Sequence, residues 1–248
     1  MATNYTLSSN VVSAIWLLPV YIIDCLSDSH FDMVIYDVWF KVLIACAICI
    51  SLIIFNKILV KLGYEKNARL IGVFLLMTSA VLLLSVLGKG QIDSISMLFV
   101  LLAIYSLLDE KYEKSFLFLG LACLFKPFAI LLGIPLLLLL TGTLRIRIIG
   151  SSLLLVGPYI LNYVISSLLM SEYQRMSYIT GELFKETFGL SRIEELFEVR
   201  INAILVFFGL GIIICFISFC IGIKNKTTRK HMIVMPLIMY LTYIIFVN

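Results

Sequence analysis

Charge is scarce in this chain. Asp, Glu, Lys and Arg make up 14% of its 248 residues and hydrophobic residues 62%. With a mean hydropathy of +1.09 it lies far outside the range of soluble domains. The shortage excludes a sizeable solvated domain, because membrane spans of about 20 residues each nearly exhaust the length. A basic start is also missing: residues 1–10 hold no Lys or Arg, which a secretory signal peptide needs in its n-region. There is no basic stripe either, so the net charge of +4, parcelled into short loops, does not point to nucleic acid. Cys46-x-x-Cys49 lacks the second Cys or His pair that zinc requires. The six cysteines, Cys25, Cys46, Cys49, Cys123, Cys215 and Cys220, mostly fall in apolar runs, where a thiol acts as a small hydrophobe. No internal repeat links residues 38–108 to 148–248, and its absence weighs against a repeat-built transporter.

What is there is apolar segments separated by short polar turns, which predicts an all-α polytopic transmembrane helix bundle. It is expected to form one integral membrane domain over residues 1–248, with about 8–9 membrane segments. Val11 to Ile23 is short and interrupted by Pro19, which favours a re-entrant or interfacial helix. Val38 to Val60, Leu70 to Leu87, Ser94 to Leu108, Ile148 to Met170, Ile201 to Ile223 and Met232 to Val247 are the other apolar stretches. Residues 181–200 alternate apolar and charged positions as an outer amphipathic helix does, either as a cap over the bundle or as a grip on a lipid substrate.

The basic loops at Lys57 to Arg69, Lys111 with Lys114, Arg145 with Arg147, and Lys224 to Lys230 belong on one side, the cytoplasmic one. Residues 115–141 must then enter and leave the membrane from that side. About 27 residues are too few for two crossings of about 20. A broken helical hairpin with its break at Lys126-Pro127 fits the length, since proline lacks the N–H and restrains the residue before it. Lys126 in hydrocarbon costs roughly 2.5–3.5 kcal/mol, so it is expected to face a cavity or a partner. The acidic stretch Asp24, Asp28, Asp32 and Asp37 and the turn Lys89-Gly90-Gln91-Ile92-Asp93 fall on the opposite, outer side with it.

Gly90-Gln91-x-Asp93, a span, a short charged loop, and Leu-Gly-Leu-Ala followed by Lys126-Pro127 and a Leu-rich run together resemble the GT-C superfamily of membrane glycosyltransferases, closest to its polyprenyl-phosphate-mannose branch. The likeness covers roughly residues 40–165 in short motifs. It implies transfer of a hexose such as mannose from a polyprenyl-phosphate donor to an envelope or lipid-linked glycan acceptor, at the outer face of a prokaryotic plasma membrane. Asp93 would be the catalytic base, with Lys126, Gln91 and Lys89 at the donor phosphate and Asp24, Asp28, Asp32 and Asp37 as secondary candidates. The resemblance fixes no cofactor, and a divalent metal shared with the acidic stretch stays open, as its spacing demands none. The family's first span and its catalytic loop have no counterpart here, and further spans usually follow, so the chain is expected to be either a minimal member or an internal piece truncated at both ends.

Plainer alternatives stand beside these roles. Lys126 can snorkel to the interface, Asp93 can cap a helix, Lys89 can be a flanking charge and the acidic stretch a solvated surface. At the level of the whole chain the rivals are a non-catalytic homologue or subunit and a small-solute transporter.

Overall fold

The computed structural model describes residues 7–27, 31–78, 92–126, 129, 144–155 and a few positions between 157 and 168. Every regular element of any length among them is an α-helix: α1 (Leu7–Ser27), α2 (Met33–Lys61), α3 (Lys66–Met77), α4 (Asp93–Leu108), α5 (Tyr112–Phe125) and α6 (Leu144–Leu155). The chain divides into two compact units, Tyr5–Ala129 and a second made of Met1–Asn4 with Ile130–Asn248. The first holds α1 to α5. In the second, α6 starts early enough to take Arg145 out of the expected basic loop and onto a helix, where it is exposed. The second half of the expected hairpin and the amphipathic segment 181–200 lie outside the described residues.

Among the described residues, two helices are long and apolar enough to cross a membrane. The first is longer than the apolar stretch Val11 to Ile23 and is not interrupted at Pro19: α1 is a continuous 21-residue helix with Pro19 inside it, about 31 Å long at 1.5 Å per residue. Pro19 removes one backbone hydrogen bond, whereas ending the helix there would leave several groups unpaired in hydrocarbon. Their large apolar side chains are left uncovered, Ile15 at 66% and Leu26 at 81% on α1 and Met33 at 85% on α2. A soluble core helix hides such residues; one in lipid does not need to.

α1 and α2 form an antiparallel pair closed near their junction by Asp24, which accepts from the Phe31 N–H at 2.7 Å and the Tyr36 hydroxyl at 2.8 Å. Further along, Trp16 and Trp39 stack with ring centroids 5.3 Å apart. Each indole N–H donates to the other residue's carbonyl at 2.9 Å, so both polar edges are satisfied within the pair. α2 ends in a Schellman turn, with the Gly63 N–H on Val60 O and the Tyr64 N–H on Leu59 O. Gly63 takes the left-handed position, φ +82°, that L-residues adopt only with strain.

α4 is the centre of the first unit. Ile95, Val100, Leu101, Ala103 and Ile104 are all buried, and α2 and α5 both pack on it. α4 and α5 make an antiparallel hairpin pinned by Ser96 Oγ donating to Ala122 O (3.0 Å) and Ser115 Oγ donating to Ala103 O (2.8 Å). Interhelical bonds of this kind contribute about 0.6 kcal/mol each in bilayers, and the small residues let the backbones approach. Between α4 and α5, Phe99 stacks on Phe118 and Phe125, with centroids 6.4 and 5.8 Å apart.

Candidate functional site

The hairpin is too short to cross a bilayer. Its arms of 16 and 14 residues measure about 24 and 21 Å, against a hydrocarbon core of roughly 30 Å. At its turn, Lys61 at the end of α2 bonds to Asp109 and lies 3.5 Å from the Tyr105 ring centroid, while Lys111 adds a second cation 3.5 Å from Asp109. Lys61 at the end of α2 and Lys111 between α4 and α5 therefore share one end of the unit. At the hairpin's open end, Ile92 and Ile95 pack with Ala47, and Phe40, Leu43, Val12 and Phe125 surround them. Ala47 lies 14 residues back from Lys61 along α2, about 21 Å. α2 continues another 14 residues to Met33. The open end thus sits well inside the length of α2.

At that depth Lys126 and Asp93 meet. α5 stops at Phe125 and Lys126 turns extended, φ −142° and ψ 110°, as the residue before Pro127 must. Its amide still donates to Ala122 O at 2.9 Å, and its carbonyl accepts from the Ala129 N–H at 3.1 Å. The Lys126 ammonium forms an ion pair and hydrogen bond with Asp93 Oδ2, the two side chains being 12% and 11% exposed. So Lys126 does not snorkel outward along its stem; it finds a carboxylate within the unit. The expected break in the 115–141 run is present at its first half, and the two candidate residues Lys126 and Asp93 are in contact.

Asp93 is not the helix cap. The N-cap of α4 is Ile92, in a helical conformation (φ −71°, ψ −2°), and no side chain caps the helix. Asp93 occupies the first helical position instead, where its charge meets the positive end of the helix dipole. The next residue, Ser94, is 1% exposed, and its hydroxyl has no hydrogen-bond partner among the described residues. Helical serines elsewhere bond back one turn, Ser13 to Ser9 O and Ser51 to Ala47 O. A buried unpaired hydroxyl costs about 1–3 kcal/mol. Sequence reading missed Ser94; the clue was Asp-Ser-Ile-Ser opening an otherwise apolar helix.

The other candidates are scattered. Asp24 closes the α1–α2 junction, Asp32 is the N-cap residue of α2 without a side-chain cap bond, and Asp37 pairs with Lys41 one turn on at 2.7 Å. The acidic stretch is thus mostly helix ends rather than a loop. Among the described residues no three His, Cys, Asp or Glu gather as a metal site. Cys46 and Cys49 are exposed on α2 rather than packed in a core, and they are free thiols, as are exposed Cys25 and buried Cys123. Lys89, Gln91 and Asp28 lie outside the described residues. Compared with known proteins, the chain matches no family model, no curated protein and no solved structure.

Proposed function

We propose that this chain is an integral membrane glycosyltransferase that moves a sugar from a polyprenyl-phosphate donor to a hydroxyl of a glycan acceptor. The supporting observation is the Asp93–Lys126 pair, nearly buried at the open end of a hairpin too short to span. Ionisable side chains held at membrane depth mark substrate or ion pathways by default. The polytopic bundle, the outer placement of the site and the roles of Gln91 and Lys89 at the donor belong to the same proposal.

In this reading the donor phosphodiester competes with Asp93 for the Lys126 ammonium. The acceptor oxygen attacks the anomeric carbon and the bond from that carbon to the phosphate oxygen breaks, its electron pair leaving with the polyprenyl phosphate. The acceptor proton passes to Asp93. The leaving phosphate gains one negative charge, so Lys126 binds it more tightly in the transition state than in the donor, which is what accelerates a step.

Lys126→Met keeps the side-chain length and removes the charge, and Asp93→Asn removes the base. Each is expected to lower turnover by about a hundred- to a thousandfold, by analogy with loss of one oxyanion contact, with a smaller change in donor KM. The assay follows transfer in membranes supplied with polyprenyl-phosphate mannose. Full activity in both variants removes the site assignment, and no transfer by the unaltered chain favours the non-catalytic reading.

A further inference from the structure

The end of the first unit where α2 turns into α3 collects cations from three helices. Lys57 and Lys61 lie one turn apart at the end of α2, Lys66 and Arg69 fall in the first turn of α3, and Lys111 and Lys114 stand at the start of α5. Asp109 engages Lys61 and Lys111. Among the described residues the other four make no ion pair; Lys57, Lys66 and Lys114 are exposed and Arg69 is half-buried. Glu65, Glu110 and Glu113 at the same end are exposed and engage none of them. Six cations against four carboxylates leave this end positive.

α3 is apolar immediately beyond its charges. It doubles back along α2 after a turn of four residues, and Gly72 comes so near α2 that a methyl group there would meet Leu59 Cδ1 at 3.2 Å. Leu70, Ile71, Phe74 and Leu75, 59% to 62% exposed, therefore lie level with the last turns of α2, and no residue of α3 is buried. Lys66, Leu70 and Phe74 follow at four-residue steps and share one face, with about 12 Å between the first and the last. A cation with bare apolar side chains one and two turns below it matches the two parts of an anionic phospholipid, a charged headgroup over acyl chains. A nucleic acid or an acidic protein segment would answer the charges and leave the apolar face uncovered.

We infer that the α2–α3 turn and α3 form a binding surface for an anionic phospholipid, with Lys66 and Arg69 at the headgroup and Leu70 and Phe74 along the acyl chains. The inference rests on the membrane-spanning part of the proposal above and not on sugar transfer. Attraction of this kind is screened by salt. It follows charge more than side-chain shape, so Lys66→Arg combined with Arg69→Lys keeps it.

The test is the lipid selectivity of the full chain in phosphatidylcholine vesicles. Spin-labelled phosphatidylglycerol and spin-labelled phosphatidylcholine are the probes, and the fraction of each immobilised by the protein is read by spin resonance. Phosphatidylglycerol is expected to be preferred, and the Lys66→Gln, Arg69→Gln double variant to lower the preference roughly fivefold, the scale of a cation at an anionic surface. The exchanged pair retains it. Raising the ionic strength about tenfold, which shortens the screening length about threefold, weakens it in the unaltered chain. Lys41→Gln, on α2 about 30 Å from Lys61, leaves it unchanged. Equal association of both probes overturns the inference, as does a preference that survives the double variant, that ignores salt, or that falls as much in Lys41→Gln. A preference lost in the double variant without any sugar transfer sinks the transferase reading alone, while transfer by a chain with no lipid preference sinks this inference alone.

Discussion

At the scale of single residues, the ion pair is a choice between two costs. Lys126 and Asp93 sit at 12% and 11% side-chain exposure, so each is tolerable chiefly because the other is there. Removing one partner leaves an uncompensated charge, worth about 3–5 kcal/mol of destabilisation in buried sites. Lys126→Met alone should therefore unfold markedly more easily in detergent, and the Lys126→Met, Asp93→Asn double variant should recover most of the loss. Equilibrium unfolding of the two single variants and the double gives the coupling directly. Additive losses would mean that the two side chains do not support each other.

At the scale of elements, the two helix ends that carry the hairpin's framework use the same turn with different residues. α2 ends with Gly63 in the left-handed position, and α4 ends with Glu110 there, φ 59°. Around Glu110 the same bonds recur, Glu110 N–H to Leu107 O and Lys111 N–H to Ser106 O. A side chain in that conformation costs roughly 1–2 kcal/mol. Glu110→Gly is expected to stabilise by about 1 kcal/mol, part of the relief being offset by the unfolded chain's added freedom. Gly63→Ala is expected to cost about 1 kcal/mol on torsion alone, since nothing lies within 4 Å of the added carbon. Chemical unfolding checks both signs. The same turn carries a pH effect. The hydrogen bond from Lys61 holds the Asp109 carboxyl below the usual carboxylate range; partial desolvation opposes this, and the charges of Lys61 and Lys111 add to it. A depressed folded value means that the stabilisation is present at neutral pH and lost as the pH falls through that value. Asp109→Asn should flatten the acid side of the stability profile, and an unchanged profile would place the acid sensitivity elsewhere.

For the whole molecule, the issue is which end of the first unit meets which side of a membrane. Lys61, Asp109 and Lys111 gather at one end, and α2 runs 29 residues from there to Met33, about 43 Å. That length exceeds a hydrocarbon core of roughly 30 Å, and loop lysines favour the cytoplasm. On a background without native cysteines, Tyr112→Cys should be protected from an impermeant maleimide in intact cells and Met33→Cys should react. The reverse pattern inverts the orientation, and reaction at both positions from outside removes the spanning reading of α2.

The all-helical design, with helices long and apolar enough to cross a membrane, was legible in the chain itself, because scarce charge and long apolar runs favour the helix, which pairs its own backbone groups. The break at Lys126 was legible for a local reason too, since Pro127 fixes the residue before it whatever surrounds it. Helix ends were read less well. α1 passes through Pro19 and α2 begins at Met33, since backbone pairing in an apolar environment outweighs the local signals of proline and aspartate. Partners were not legible at all. Whether Asp24 closes a junction, Asp93 caps a helix or meets a lysine, and Ser94 stays unpaired depends on which groups the packed helices bring within 3 Å, and sequence spacing says nothing about distance across a hairpin. The sequence alone determined that a lysine would be buried in an apolar setting. Only the tertiary structure decided that Asp93, 33 positions away along the chain, is its partner, because α4 and α5 pack antiparallel through small residues and bring their two buried ends together.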